Sequence, residues 1–117
     1  WWRENMRAGW ASCPITENGF VRIVSQPSFT APLSVAEAIS VLHDAKEDSD
    51  HELWPDNISI LDSARFNAKL LLKSDAITDA YLLALAISRN SRLVTLDRYI
   101  PIAGVCSADS DHVFLAP

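Results

Sequence analysis

Three acidic residues lie where an α/β protein would place the groups that bind a ligand. Glu17 follows a short apolar run, Asp79 stands at the start of an apolar helical segment, and Asp97 ends a second apolar run. In open parallel sheets, ligands bind beyond the carboxyl ends of the strands, where the N-termini of helices also point. We therefore expect these three carboxylates to converge on one site.

The chemistry of such a site follows from the donor atoms. Converging carboxylates repel one another, so one must take up a proton unless a cation neutralises them. Oxygen donors without nearby histidine or cysteine suit a hard ion, Mg²⁺ or Mn²⁺. Such an ion activates a water and stabilises the charge that develops on a phosphoryl group under attack. The three acids therefore predict hydrolysis of a phosphodiester.

Each acid also has a purely structural alternative. Asp79 at a helix start gains about 0.3–1 kcal/mol from the helix dipole without any function. Glu17 can gain in the same way, and Asp97 can cap the turn that follows its strand. Position alone leaves both interpretations open.

The elements that would position these acids alternate between helices and short apolar strands. This alternation predicts an α/β fold with a parallel sheet that is covered on both faces. Strands are expected at 10–14, 51–54, 92–96, 102–106 and 112–115. Helices are expected at 1–8 (the tail of a helix), from Glu17 to about Ser25 after a Thr16 cap, from Ser34 to the acidic run 48–50, from Ser59 through Leu71, and from Asp79 to Asn90 after a Thr78 cap.

Two of these helix starts rest on the same local pattern. Ser34 and Glu37 form a capping box, in which each side chain satisfies a backbone N–H of the other residue. Ser59 and Asp62 repeat the spacing. Apolar residues follow each start at helical intervals and predict one buried face per helix. These residues are Val35, Ala38, Ile39 and Leu42 in the first helix, and Leu61, Ala64, Ala68 and Leu71 in the second.

Composition sets the broad class of the protein. The chain has 117 residues, 49% of them hydrophobic and 21% charged, which is typical of one globular domain over 1–117. A net charge of −5 argues against a non-specific nucleic-acid binder with a basic surface. No apolar run approaches the roughly 18 residues of a membrane span. Cys13 and Cys106 lack metal-ligand spacing and are interpreted as buried thiols in a reducing cytoplasm.

Three segments together resemble a known family. The segments 14–22 (PITENGFVR), 77–86 (ITDAYLLALA) and 92–98 (RLVTLDR) resemble, in order and spacing, the motifs of PIN-domain ribonucleases of the VapC toxin type. The resemblance covers essentially the whole chain. It implies a PIN-like three-layer α/β/α fold with a central parallel sheet.

The resemblance also assigns roles to residues at matching positions. It implies that Glu17, Asp79 and Asp97 are catalytic and bind Mg²⁺ or Mn²⁺. Thr95 would help to position a ligand or water, and Asn18 matches the usual neighbour of the glutamate, where a helix-start hydrogen bond explains it equally well. The family carries a further aspartate on its first strand, and no residue of this chain occupies that position. Because Trp1 and Trp2 are unusual at a solvated end, we expect 1–8 to be the tail of a helix whose beginning is missing, and the resemblance implies that the family's first strand is missing as well.

The leading hypothesis is therefore a cytoplasmic endoribonuclease toxin. The resemblance implies an RNA substrate, a cognate antitoxin that blocks the acidic site, and a homodimer. A second hypothesis is a catalytically inactive PIN-like module that only binds protein. A third is a small α/β phosphohydrolase or a receiver-like domain. A receiver would normally show an acidic pair after its first strand and a lysine near its last, and neither is evident.

Overall fold

The computed structural model describes residues 8–47 and 50–116. The predicted helix tail at 1–8 therefore lies almost entirely outside the described residues, as does most of the acidic run at 48–50. The described chain forms two compact units, which meet in sequence between Asp56 and Asn57. They are called the N-terminal and C-terminal units below. A single domain over 1–117 stays a prediction.

The N-terminal unit contains a pair of parallel strands. Strand β1 is Trp10–Ser12 and strand β2 is His51–Leu53, each slightly shorter than predicted. Trp10 is opposite His51, and Ser12 is opposite Leu53. Ser12 is buried in this pair. The pairing brings Ser12, at the end of β1, into the neighbourhood of His51.

Helix α1 is Pro14–Val24 and begins earlier than the Thr16 cap predicted. Pro14 occupies the first helical position, where its missing N–H costs nothing and its fixed φ favours the helix. Thr16 lies inside the first turn, where its hydroxyl accepts a hydrogen bond from the Cys13 N–H at 2.9 Å. Thr16 therefore stabilises the helix start from within, and Glu17 falls in the first turn of α1.

Helix α2 is Val35–Glu47 and begins where the capping box predicted. The Glu37 N–H donates to Ser34 Oγ at 3.0 Å, and the Ser34 N–H donates to Glu37 Oε1 at 3.1 Å. The predicted buried face is wrong in large part. Ala38 is buried and Leu42 is partly buried, but Val35 is 56% exposed and Ile39 is 52% exposed, so the face packs along a narrower stripe than predicted.

Helix α3 is Ile77–Ser88 and forms the centre of the C-terminal unit. It begins two residues before the predicted start, so Thr78 lies within the first turn and does not cap it. A central position was predicted from its apolar sequence, and this is confirmed. Its buried residues are Ala80, Leu83, Ala84, Leu85 and Ala86. Of these, Ala80, Leu83 and Ala84 share one core cluster with Phe66 and Val105.

The predicted helix from Ser59 through Leu71 is wrong. Turns occupy this segment, followed by a short 3₁₀ helix at Ala68–Leu70, and Leu61 is 88% exposed. Ser59 Oγ accepts from the Leu61 N–H at 3.1 Å, and Asp62 Oδ1 accepts from the Ala64 N–H at 2.9 Å. These side chains therefore close local turns, which compete with helix formation.

The C-terminal unit also contains a parallel strand pair. Strand β3 is Leu93–Thr95 and strand β4 is Val113–Leu115, with Leu93 opposite Val113. The prediction of a buried β3 is wrong, since Val94 is exposed at its centre. The strand predicted at Ile102–Cys106 is wrong too. Ile102–Gly104 is a 3₁₀ helix, and Val105 makes only an isolated antiparallel bridge to Phe66.

The predicted α/β fold class is confirmed, since each unit combines α-helix with a pair of parallel strands. Further short 3₁₀ helices lie at Ser74–Ala76 and Ser110–His112. Within the described residues, no helix is both long and apolar enough to cross a membrane.

Candidate active site

Two of the predicted acids interact electrostatically in the C-terminal unit. Asp79 is half-buried in the first turn of α3, and Asp97 follows β3. Burial, together with the negative charges of Asp97 and Asp75, raises the pKa of the Asp79 carboxyl. Asp79, Asp97 and Asp75 are called the aspartate cluster below. Nearby negative charges oppose the ionisation of a partly buried carboxyl, and a bound cation would relieve this repulsion.

Asp97 is held by the turn after β3. The Asp97 N–H donates to Thr95 Oγ1 at 3.0 Å, and Asp97 Oδ1 accepts from the Tyr99 N–H at 2.9 Å. Thr95 therefore fixes the backbone of Asp97, and Asp97 caps its own turn, as its structural alternative proposed. The turn hydrogen bond uses Oδ1 of the exposed carboxylate.

Sequence reasoning missed Asp75. It lies in the 3₁₀ helix Ser74–Ala76, immediately before α3, and is exposed. Its spacing of four residues from Asp79 was visible in the sequence, but no strand end or helix start singled it out. The fold makes it relevant, because the 3₁₀ helix leads directly into the first turn of α3.

Glu17 lies in the N-terminal unit, where several polar side chains surround it. Lys46 Nζ of α2 is 2.6 Å from Glu17 Oε2, and Ser12 Oγ donates to the same oxygen at 2.9 Å. Burial opposes ionisation of Glu17, but the hydrogen bonds from Lys46 and Ser12 outweigh it, so the pKa of Glu17 is lowered. Glu17 is thus held as an ionised carboxylate.

His51 extends this arrangement. Its Nε2 is 2.7 Å from Ser12 Oγ, and its ring meets the Trp10 indole edge-on at a centroid distance of 4.4 Å. Burial, and then the positive charge of Lys46, lowers the pKa of His51. Lys46, Ser12 and His51 were not among the predicted site residues.

Asn18 is exposed in the second turn of α1. It lies inside the helix and not at its start, so a helix-start hydrogen bond does not account for it.

The donor set suits a hard cation. Mg²⁺ binds protein sites through one or two carboxylates and completes its shell with waters and substrate phosphates. The aspartate cluster supplies oxygen donors only. Within either described unit, no three His, Cys, Asp or Glu side chains are grouped closely enough to hold a metal by themselves. The convergence of Glu17 with Asp79 and Asp97 stays a prediction.

An α/β fold with parallel strands and acids beyond the strand ends is shared by several classes of protein, and comparison with known proteins shows which class this chain belongs to. Ribonuclease VapC44 of Mycobacterium tuberculosis (strain H37Rv) is 44% identical over 113 residues, which cover 97% of this chain and 80% of VapC44. Ribonuclease VapC38 of the same strain is 37% identical over 98 residues, covering 83% of this chain and 67% of VapC38. Ribonuclease VapC39 is 34% identical over 99 residues, covering 83% of this chain and 70% of VapC39.

These relatives settle the family. The chain belongs to the VapC ribonuclease family, as the three motifs predicted. Its α/β architecture with parallel strands is consistent with the PIN-like fold expected from the resemblance. No protein-family model matches the chain, and no solved structure matches it.

Proposed function

We propose that this protein is a divalent-metal-dependent endoribonuclease of the toxin class. Its relatives are named ribonucleases, and the observation that carries the metal-dependent part of the proposal is the electrostatic coupling of Asp79 to Asp97 and Asp75. A half-buried carboxyl whose ionisation is opposed by two like charges is suited to a cation.

Asp79, Asp97 and Glu17 are the residues we propose as the catalytic acids and metal ligands. When bound, the ion would activate a water for attack on the phosphodiester and stabilise the negative charge that develops. The chain's own contribution is positioning. Thr95 holds the backbone of Asp97 through its hydroxyl, and the first turn of α3 holds Asp79.

We extend the proposal to partners by family membership. The substrate is RNA with an exposed single-stranded region, the inhibitor is a cognate antitoxin that covers the acidic site, and the toxin acts as a homodimer in the cytoplasm. Because the chain carries a net charge of −5, neutralisation of some acids by the metal would also favour the approach of RNA phosphates.

The test is a calorimetric Mn²⁺ titration of the protein and of its Asp79→Asn and Asp97→Asn variants. We expect both variants to bind Mn²⁺ clearly more weakly than the parent. Asp111→Asn is the matched control, because it removes the same charge from an exposed position in the same unit. Circular dichroism verifies that each variant is folded.

Cleavage of a fluorescently labelled hairpin RNA in Mn²⁺ follows as the second measurement. Cleavage that is lost with Asp79→Asn and retained with Asp111→Asn would support the enzyme. Mn²⁺ binding unchanged in both site variants would refute the aspartate site. A parent chain that binds neither Mn²⁺ nor RNA would favour the alternative, an inactive PIN-like module that binds only protein.

A further inference from the structure

Three polar side chains from three elements form a continuous chain of hydrogen bonds. His51 Nε2 on β2 lies 2.7 Å from Ser12 Oγ at the end of β1, and Ser12 Oγ lies 2.9 Å from Glu17 Oε2 on α1. His51 and Ser12 are 39 residues apart in sequence. The parallel pairing of β1 with β2 makes the contact, because it holds the His51 end of β2 beside β1.

The direction of each hydrogen bond follows from the inventory of donors. The Lys46 ammonium group can only donate hydrogen bonds, and its Nζ lies 2.6 Å from Glu17 Oε2. Glu17 Oε2 is therefore an acceptor. Ser12 has one hydroxyl hydrogen, and at 2.9 Å from a carboxylate oxygen it must point toward Glu17. The hydrogen between Ser12 and His51 therefore belongs to His51, which fixes the Nε2–H tautomer of the imidazole.

We propose that His51 and Ser12 are positioning residues that act in sequence, His51 Nε2–H to Ser12 Oγ and Ser12 O–H to Glu17 Oε2, to orient the Glu17 carboxylate. The inference rests on the proposed function in taking Glu17 as a catalytic acid of the site. It adds two residues that act through Glu17 to the machinery of the enzyme.

The arrangement leaves one carboxylate oxygen for the reaction. Among the described residues, the hydrogen bonds to Glu17 from Lys46 and Ser12 both end on Oε2. Oε1 is therefore the oxygen that remains for a cation or a water. Removal of a residue that orients a metal ligand through a hydrogen bond typically changes metal affinity or activity by about 10–100-fold.

A packing role for His51 is the competing explanation. The edge of its ring meets Trp10 at an interplanar angle of 62°, and such contacts stabilise proteins by themselves. The two explanations make opposite predictions for two substitutions. His51→Gln keeps an N–H donor near the Nε2 position and loses the ring, whereas His51→Phe keeps the ring and loses the donor.

The first experiment reads the tautomer and needs neither metal nor RNA. Long-range ¹H–¹⁵N correlation spectra at neutral pH should show His51 as the Nε2–H tautomer. In Glu17→Ala the Ser12 hydroxyl has no carboxylate to donate to and can donate to His51, so the Nδ1–H form should increase. Glu47→Ala removes the same charge from a glutamate that pairs with His43 instead, and it should leave the His51 spectrum unchanged. An Nδ1–H tautomer in the parent, or no change in Glu17→Ala, would overturn the proposal.

The second experiment measures Mn²⁺ affinity by calorimetry for the two His51 variants. We expect His51→Phe to bind Mn²⁺ about 10–100-fold more weakly and His51→Gln to stay close to the parent. The reverse order would mean that His51 only packs, and the proposal would fail. If the parent does not bind Mn²⁺ at all, the proposed function fails, while the tautomer spectra still decide whether the hydrogen-bond chain exists.

Discussion

Lys46 Nζ lies 2.6 Å from Glu17 Oε2, and this ion pair joins α2 to α1 although the two residues are 29 positions apart in sequence. Both side chains are partly buried, with relative exposures of 29% and 23%. The attraction between the two charges is therefore stronger than in a fully exposed ion pair, because burial reduces screening by solvent and salt. It holds the acid that the proposed function requires.

Substitution of Lys46 by Met should destabilise the protein at neutral pH and make its stability depend less on pH in the acidic range. Burial raises the pKa of Glu17, but Lys46 and Ser12 lower it by more, so the net shift is downward. A carboxyl whose pKa is lowered by folding stabilises the fold when the pH is above its ordinary pKa. This stabilisation is lost as the pH falls through the lowered pKa of the folded state. We expect Lys46→Met to reduce the free energy of unfolding by about 1 kcal/mol at neutral pH. Urea unfolding of both proteins across a pH series measures this loss of unfolding free energy.

The difference between the parent and Lys46→Met should disappear in acid, below the pKa of Glu17 in the folded parent. Lys73→Met is the control, since Lys73 is exposed and should change the curve little at any pH. A loss of stability in Lys46→Met that stays the same from neutral to acidic pH would contradict the ion pair as its cause.

Asp79→Asn should stabilise the metal-free protein at neutral pH. Burial, Asp97 and Asp75 raise the pKa of Asp79, so the folded state favours the protonated form. Such a group gives its full stabilisation below its ordinary pKa and loses it as the pH rises through the raised value. The dipole of α3 opposes this effect by about 0.3–1 kcal/mol, so the expected gain is the difference between the two.

We expect the gain from Asp79→Asn to be no more than about 1 kcal/mol, measured by thermal unfolding in EDTA. The gain should vanish in acid, where the parent carboxyl is protonated too. With saturating Mn²⁺ the order should reverse, because the cation stabilises only the form that binds it. A destabilised variant at neutral pH without metal would show that Asp79 serves chiefly as a helix-start charge.

The two identical spacing patterns show what the sequence could predict and what it could not. Ser34 with Glu37 predicted the start of α2 correctly, whereas Ser59 with Asp62 predicted a helix that does not form. A capping box stabilises a helix start but cannot supply the burial that propagates the helix. The exposure of Leu61, at 88%, shows that the second segment lacks that burial.

The residues of the candidate site also fall into those that the sequence could predict and those that it could not. Asp79 and Asp97 could be found from sequence, because their place at a helix start and a strand end is a local property. Lys46 and His51 could not be found, because each acquires its role through a partner 29 or 39 residues distant in the chain. Only the packing of α2 on α1 and the pairing of β2 with β1 bring these partners together.

The two cysteines should differ in reactivity. Cys13 is 3% exposed, and burial, the largest influence, raises the pKa of its thiol. Cys106 is only half-buried, so the interpretation of both as buried thiols is wrong for Cys106. Because the thiolate is the reactive form, we expect iodoacetamide to label Cys106 well before Cys13. Peptide mass mapping over time measures this order.

Cys106→Ser is the informative control for labelling, since it leaves Cys13 as the single thiol. This variant should label slowly in buffer and rapidly in urea, where Cys13 becomes exposed. Labelling of Cys13 at the rate of a free peptide thiol under native conditions would contradict its burial at the start of α1.

Gly104→Ala should destabilise the C-terminal unit. A Cβ built on Gly104 collides with the Leu71 side chain, lying 3.0 Å from its Cγ and 3.4 Å from the Leu70 carbonyl oxygen. Gly104 is buried, and Leu71 packs against the core. Overpacking of this kind costs about 1–3 kcal/mol. Urea unfolding should show this loss, and it should be smaller in a Leu71→Ala background, where the colliding atoms are absent.

Gly19→Ala provides a matched control with the opposite sign. Gly19 lies inside α1, and a Cβ there meets nothing within 4 Å. Because Ala loses less conformational freedom than Gly on entering a helix, we expect a gain of about 0.5–1 kcal/mol. Comparison of Gly104→Ala with Gly19→Ala separates the effect of an added methyl group from the effect of its position in the fold. If Gly104→Ala cost the same free energy with and without Leu71, the collision would not be the cause, and the backbone at Gly104 would have to account for the loss.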